Sequence, residues 1–158
     1  MNYVDYRTPV TIVCKKHGDF EITPKVHLRS KGCPKCSETT GERCVRLVLE
    51  KYNIKHEVQK NFPGLTHISP MRYDFYLPEH NLVIEYDGQQ HFYPVDYFGG
   101  EKGLEENQLR DKIKNDYCLN NNIYLLRIAY YDISKIEDII TEKLKLNNGE
   151  RYASLAII

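Results

Sequence analysis

A mixed α/β (α+β) fold is predicted by three features of this chain of 158 residues. Residues 73–87 hold two runs rich in aromatic and branched side chains on either side of Pro78-Glu79-His80-Asn81, the signature of an antiparallel hairpin. Helical apolar periodicity brackets that hairpin, from Thr39 to about Tyr52, from about Leu104 to Asn120, and after Ser134. Two Cys/His pairs precede all of it and set a small N-terminal module, residues 1–38, apart from a main domain, residues 39–158.

Hydrophobic content of 41% and charged content of 28% are globular values, which excludes a fibrous or wholly disordered chain. No apolar run approaches the ~20 residues of a membrane span, and the N-terminus lacks a signal-peptide pattern. An intracellular protein with no membrane partner is therefore expected. In that compartment five cysteines point to metal ligation rather than disulfides. Net charge is zero, but residues 1–38 carry seven Lys or Arg against four acids, so the basic excess sits in the N-terminal module.

Within that module, Cys14-Lys15-Lys16-His17 and Cys33-Pro34-Lys35-Cys36 each leave a two-residue gap, which lets one turn present two ligands to a tetrahedral ion. Cys14, His17, Cys33 and Cys36 are thus expected to hold a structural Zn²⁺. Gly18 to Ile22 reads as a short strand, and Gly32 supplies a tight turn before Cys33. Four protein ligands leave no open coordination position, so the metal is a staple and not a catalyst. Lys15, Lys16, Lys25, Arg29, Lys31 and Lys35 are candidates to follow DNA phosphates, although an ordinary soluble exterior accounts for them equally well. Cys44 and Cys118 have no paired partner and read as core thiols.

Thr39-Thr40-Gly41-Glu42 has capping-box spacing ahead of Val45, Val48, Leu49 and Tyr52, so a helix is expected up to Asn53. Glu42 falls in its first turn. A strand over Lys55 to Asn61 follows, and Phe62-Pro63-Gly64 turns the chain toward the hairpin. If Leu77 and Leu82 flank the turn, Tyr76 pairs with Val83, Phe75 with Ile84 and Asp74 with Glu85. Opposed residues share a face with Cβ atoms ~5 Å apart, where like charges destabilise a sheet. A divalent cation, Mg²⁺ or Mn²⁺, would relieve Asp74 and Glu85; taken alone, a solvated strand face reads them equally well. Gly88 then permits a bend that returns Gln89, Gln90 and His91 over the acids, bringing the side chain best suited to proton transfer at neutral pH to them.

Phe92 to Lys102 reads as a loop with aromatic residues, of which Phe92, Tyr93, Tyr97 and Phe98 pack on the core or stack on bases. In the next helix Leu109, Ile113, Tyr117 and Cys118 are expected to face inward, with Gln108, Asp111, Lys112 and Asn115 on a polar side. Asp111 either orients His91 or pairs with a neighbouring lysine. Ile123 to Ile128 reads as a strand buried on both faces, interrupted by Arg127, which needs an acid of the site or a DNA phosphate. Ser134 is expected to cap a last helix with Ile136, Ile139, Ile140 and Leu144 inward. The tail Tyr152 to Ile158 is apolar enough to form an edge strand or to enter a partner.

Residues 12–36 resemble the small Cys-His/Cys-Cys modules found beside nuclease domains in phage and mobile-element proteins. Asp74 on one strand with Glu85-Tyr86-Asp87 on the next resembles the PD-(D/E)xK nuclease superfamily. Arg72-Tyr73-Asp74-Phe75, Ile84-Glu85-Tyr86-Asp87-Gly88-Gln89-Gln90-His91 and Gln108-Leu109-Arg110-Asp111 look like its branch of very-short-patch mismatch-repair and phage homing endonucleases, described by an E, D, x-H, D signature. The resemblance covers about residues 40–131 and implies a restriction-endonuclease-like mixed sheet flanked by helices. It matches Glu42 to the first-helix acid, Asp74 to the metal-binding acid, His91 to the histidine and Asp111 to the final acid. Asp87 stands where the general fold often has lysine, and the histidine spacing differs from that of the repair enzymes.

The leading expectation is a metal-dependent DNA endonuclease in a bacterial or phage-infected cell, of homing or repair type. Asp74, Glu85 and the Tyr86 carbonyl would hold Mg²⁺ or Mn²⁺, with His91 moving protons assisted by Asp87, Gln90 or Asp111. A non-cleaving nucleic-acid-binding module of the same fold and a zinc-stabilised interaction protein are the alternatives, and a homodimer is compatible with each.

Overall fold

The computed structural model describes residues 5–28 and 32–145. Arg29, Lys31 and the tail Tyr152 to Ile158 lie outside them. The chain divides into two compact units, Met1–Arg43 and Cys44–Ile158.

In the first unit, β1 (Val10–Cys14) and β2 (Gly18–Ile22) form an antiparallel hairpin, followed by two single-turn helices, α1 (Pro24–His27) and α2 (Pro34–Ser37). The hairpin closes on the pair Cys14↔Gly18, with Gly18 at φ +76°. The strand over Gly18 to Ile22 matches the sequence pattern, whereas β1 was not apparent in it. Its residues Val10 to Val13 are only alternately half-buried, so its partner strand and not a core defines it. Thr23 caps α1, its Oγ1 accepting from the Val26 N–H at 3.3 Å.

α3 (Thr40–Lys51) begins with the capping box that its sequence predicts. Thr39 N–H donates to Glu42 Oε2 at 2.6 Å and Glu42 N–H to Thr39 Oγ1 at 3.2 Å. Asn53, at φ +53°, ends the helix.

The second unit is built on a four-stranded mixed sheet in the order β3 (Glu57–Lys60), β4 (Tyr73–Leu77), β5 (Leu82–Asp87), β6 (Tyr124–Ala129). The first three strands are antiparallel, and β6 runs parallel to β5. Crossing from β5 to a parallel neighbour requires a long connection, and this is where α4 (Gly100–Asn120) lies. The hairpin register is the expected one: Phe75↔Ile84, Tyr76↔Val83 and Leu77↔Leu82. Asn81 takes the left-handed conformation at the turn, φ +47°, and its side chain donates to the Asn122 carbonyl at 2.8 Å.

Alternation along β5 and β6 splits the core. On one face Phe75, Leu77, Leu82, Ile84 and Ile128 meet Val45, Val48 and Leu49 of α3 and Ile136 and Ile140 of α5 (Ile136–Leu144), with Cys44 packed against them. On the other, Val83 and Leu125 meet Leu65, Met71, Tyr73 and the Ile113, Tyr117 and Cys118 of α4. Three expectations are corrected. Leu109 is exposed, because the inward stripe of α4 is polar at its N-terminal half. β6 is half-buried rather than sealed on both faces, since among the described residues it is the edge of the sheet. Ser134 lies within the 3₁₀ turn Tyr130–Lys135 and does not cap α5.

One glycine is fixed by close approach: a Cβ on Gly103, in the first turn of α4, would lie 1.8 Å from the Phe98 carbonyl oxygen. Gly103→Ala is expected to lower stability by on the order of 2 kcal/mol, because backbone and not a flexible side chain must move. Denaturant unfolding of the variant checks this.

Candidate functional site

The two ligand pairs of the first unit converge. Cys14 Sγ lies 3.7 Å from both His17 Nδ1 and Cys36 Sγ, and His17 Nδ1 lies 3.6 Å from Cys33 Sγ and 3.3 Å from Cys36 Sγ. A tetrahedral zinc with Zn–S of about 2.3 Å and Zn–N of about 2.0 Å separates two sulfurs by ~3.8 Å and a sulfur from a nitrogen by ~3.5 Å. The four side chains therefore stand at the corners that a zinc ion needs. Cys14 comes from the end of β1, His17 from the hairpin turn, and Cys33 and Cys36 from the N-terminus of α2, where Cys36 N–H bonds the Cys33 carbonyl at 2.9 Å. The Lys16 backbone N–H pulls the Cys14 thiol down to about 6, toward the thiolate that metal binding requires. Lys15, Lys16 and Lys35 lie exposed between the ligands.

In the second unit the site lies on the α4-covered face of the sheet. Val83 and Leu125 make that face apolar at one end; two residues on, parity places Glu85 and Arg127 there, then Asp87. Glu85 is 4% exposed and Asp87 5%. Charges so buried need partners. Lys114 Nζ donates to Glu85 Oε2 at 2.7 Å. Arg127 grips Asp87 with both ends of its fork, Nε to Oδ2 at 2.7 Å and Nη2 to Oδ1 at 2.6 Å, and reaches Asp111 Oδ1 at 2.7 Å. The other Asp111 oxygen lies 2.7 Å from His91 Nδ1.

Four residues of α4 produce this arrangement. Asn107, Asp111, Lys114 and Cys118 follow the i, i+4, i+7, i+11 spacing of one helix face. Asn107 donates to the Gln90 carbonyl at 3.2 Å, Asp111 holds His91, Lys114 holds Glu85, and Cys118 donates to the Tyr73 hydroxyl at 3.1 Å. Of the two options for Asp111, orienting His91 is the one realised. Arg127 takes acids of the site, Asp87 and Asp111, and its Nη1 donates to Asn115 Oδ1 at 3.1 Å. Lys114 was missed by sequence reasoning, because a lysine amid polar helix residues reads as solvated.

Asp74 and Glu85 are not held as an opposed pair. The described ladder ends at Phe75↔Ile84, and Asp74 Oδ2 accepts instead from the Tyr86 backbone N–H at 2.8 Å. Gln59, opposite Asp74 by register, has φ +52°, a conformation rare in a non-glycine strand residue, and its amide lies 3.4 Å from Asp74 Oδ1. The positive charge expected between the two acids is supplied to Glu85 by Lys114. Gly88 is extended, φ −68° and ψ 171°; the bend beyond it is the 3₁₀ turn Gln89–His91, closed by His91 N–H on the Gly88 carbonyl at 3.0 Å. Gln90 lays its side-chain amide beside Gly88. The contacts of Glu42 described here belong to its own helix cap.

Burial pushes the Glu85 carboxyl above the usual carboxylate range, and Lys114 and Arg127 only partly offset it. Burial also acts to raise Asp111, but the His91 hydrogen bond and the Arg127 charge outweigh it and hold Asp111 low. Asp87, His91 and Asp111 are close enough to ligate one ion. The Arg127 fork and His91 already engage all four carboxylate oxygens there, so an ion-pair network is the better description.

The comparisons with known proteins are partial. Residues 1–37 match a family described as "Protein of unknown function (DUF723)". The chain is 34% identical over 73 residues to "Uncharacterized protein 307L" of Invertebrate iridescent virus 6, an alignment covering 46% of this chain and 36% of that protein. No solved structure matches. None of the described helices is long and apolar enough to cross a membrane.

About one zinc per chain is expected to co-purify, and Cys33→Ser to lose it, by elemental analysis of the purified protein. Glu85→Gln is expected to destabilise by about 3 kcal/mol, because it strands the Lys114 ammonium, whereas Glu85→Gln with Lys114→Met costs less than either change alone. A double-mutant cycle in denaturant measures that coupling.

Proposed function

We propose that the second unit is a metal-dependent DNA endonuclease of the PD-(D/E)xK type, hydrolysing phosphodiester bonds in the manner of homing or repair enzymes. The observation that carries the reading is the His91 Nδ1 to Asp111 Oδ2 pair at 2.7 Å, beside a strand bearing two buried carboxylates. A mixed sheet flanked by helices is compatible with that fold.

The donor set suits a hard divalent cation. Glu85 Oε1 is a buried acceptor with no hydrogen-bond partner among the described residues, and Asp74 closes on the backbone of Tyr86. Asp74, Glu85 and the Tyr86 carbonyl are oxygen ligands of the type that Mg²⁺ or Mn²⁺ takes. When bound, such an ion polarises a phosphate oxygen and lowers the pKa of a water. His91 commits Nδ1 to Asp111, which leaves Nε2 as the ring atom for proton transfer. Asp111 is in turn fixed by Arg127, so the imidazole is oriented through a chain of three charged side chains. Lys114 brings an ammonium to the acids from α4, where the strand offers Asp87 in place of a lysine. Lys15, Lys16, Lys25 and Lys35 of the zinc unit are suited to sequence-independent phosphate contacts.

Purified protein is expected to relax or linearise supercoiled plasmid in Mg²⁺ or Mn²⁺ and not in chelator. His91→Ala is expected to slow cleavage by ~10² to 10⁴ while leaving divalent-ion affinity unchanged. Absence of cleavage by the wild type in either ion refutes the reading, and unchanged rates in His91→Ala move proton transfer to another residue.

A further inference from the structure

We propose that Lys114 sets the divalent-ion affinity of the site, its ammonium and the ion competing for the single buried charge of Glu85. The inference rests on the reading of Asp74 and Glu85 as cation ligands. Its basis is an asymmetry in one carboxylate. Glu85 Oε2 is taken by Lys114 at 2.7 Å, while Oε1, on the same buried group, has no hydrogen-bond partner among the described residues. The side chains are 5% and 12% exposed, so water screens neither. An ion ligated by Oε1 would stand a few ångströms from the ammonium, and in a medium of reduced dielectric that repulsion is strong.

Lys114 is held where it is. It lies on the site-facing stripe of α4, its own carbonyl accepts from the Tyr73 hydroxyl at 2.8 Å, and its ammonium lies 5.4 Å from the Tyr73 ring centre. The lysine therefore cannot withdraw into solvent at little cost when an ion arrives. Affinity is lowered in proportion, and only a ligand that adds negative charge, such as a phosphodiester, restores it. Metal binding and DNA binding become coupled through one side chain.

Two variants move the affinity in opposite directions. Lys114→Gln removes the competing charge and is expected to tighten Mn²⁺ binding at least about tenfold. Lys114→Arg keeps the charge and the fold but presents a fork that spans both carboxylate oxygens, and is expected to weaken Mn²⁺ binding about tenfold. Calorimetry on the zinc-loaded full chain, with Asp74→Asn as control, reads both. Should Lys114→Gln fail to fold, Lys114→Arg alone decides. Wild-type affinity in the variants that fold, with binding lost in Asp74→Asn, overturns the competition and leaves the nuclease reading standing. No Mn²⁺ binding in any variant, or binding that survives Asp74→Asn, overturns both.

Discussion

Glu85 and Asp87 are buried carboxylates on one strand, on the face that α4 covers, and the main unit is organised around neutralising them. Neither water nor distance screens them there, so each requires a cation within contact. Lys114 meets the first and Arg127 the second. Arg127 sits on the neighbouring parallel strand, in register with Glu85, which makes the β5–β6 pairing and the charge pairing one requirement. Once Arg127 is fixed by Asp87, the Nη2 that bonds Asp87 also reaches Asp111, and Asp111 holds His91. A one-residue slip of β6 would turn Arg127 to the opposite face and leave Asp87 and Asp111 without their guanidinium.

The sheet face that carries this network is graded. Its end near the hairpin turn is apolar and packs on the C-terminal half of α4 through Ile113, Tyr117 and Cys118. Its other end is ionic and meets the same helix through Asp111 and Lys114. One helix thus serves as a core element and as a wall of the site, and the hydrogen-bonded pair Tyr73 and Cys118 marks the transition. Asp74 stands at the point where the β4–β5 ladder stops, so its carboxylate replaces a main-chain acceptor for Tyr86.

The first unit follows a different logic. Two five-residue strands and two single-turn helices enclose little apolar area, and chains of that size need a staple. Three sulfurs and an imidazole nitrogen, all within 4.8 Å of one another, are placed to supply one by holding a metal ion. The hairpin brings Cys14 and His17 together at its tip, and Pro34 starts the turn that presents Cys33 and Cys36.

Residue spacing by itself determined the local features: the four Cys/His positions that cluster in the first unit, the Thr39–Glu42 capping box, the hairpin and its register, and the 3.6-residue patterns of α3 and α5. Each depends on groups a few residues apart, so short-range chemistry suffices. The partners of the buried charges were decided only in the tertiary structure. Lys114 lies 29 residues from Glu85, and Arg127 lies 40 from Asp87. In sequence the Asn107, Asp111, Lys114 stripe is a polar helix face, which ordinarily faces solvent. It is turned inward because the strand it meets is polar too, and that match belongs to the packing of α4 on β5, not to either segment alone.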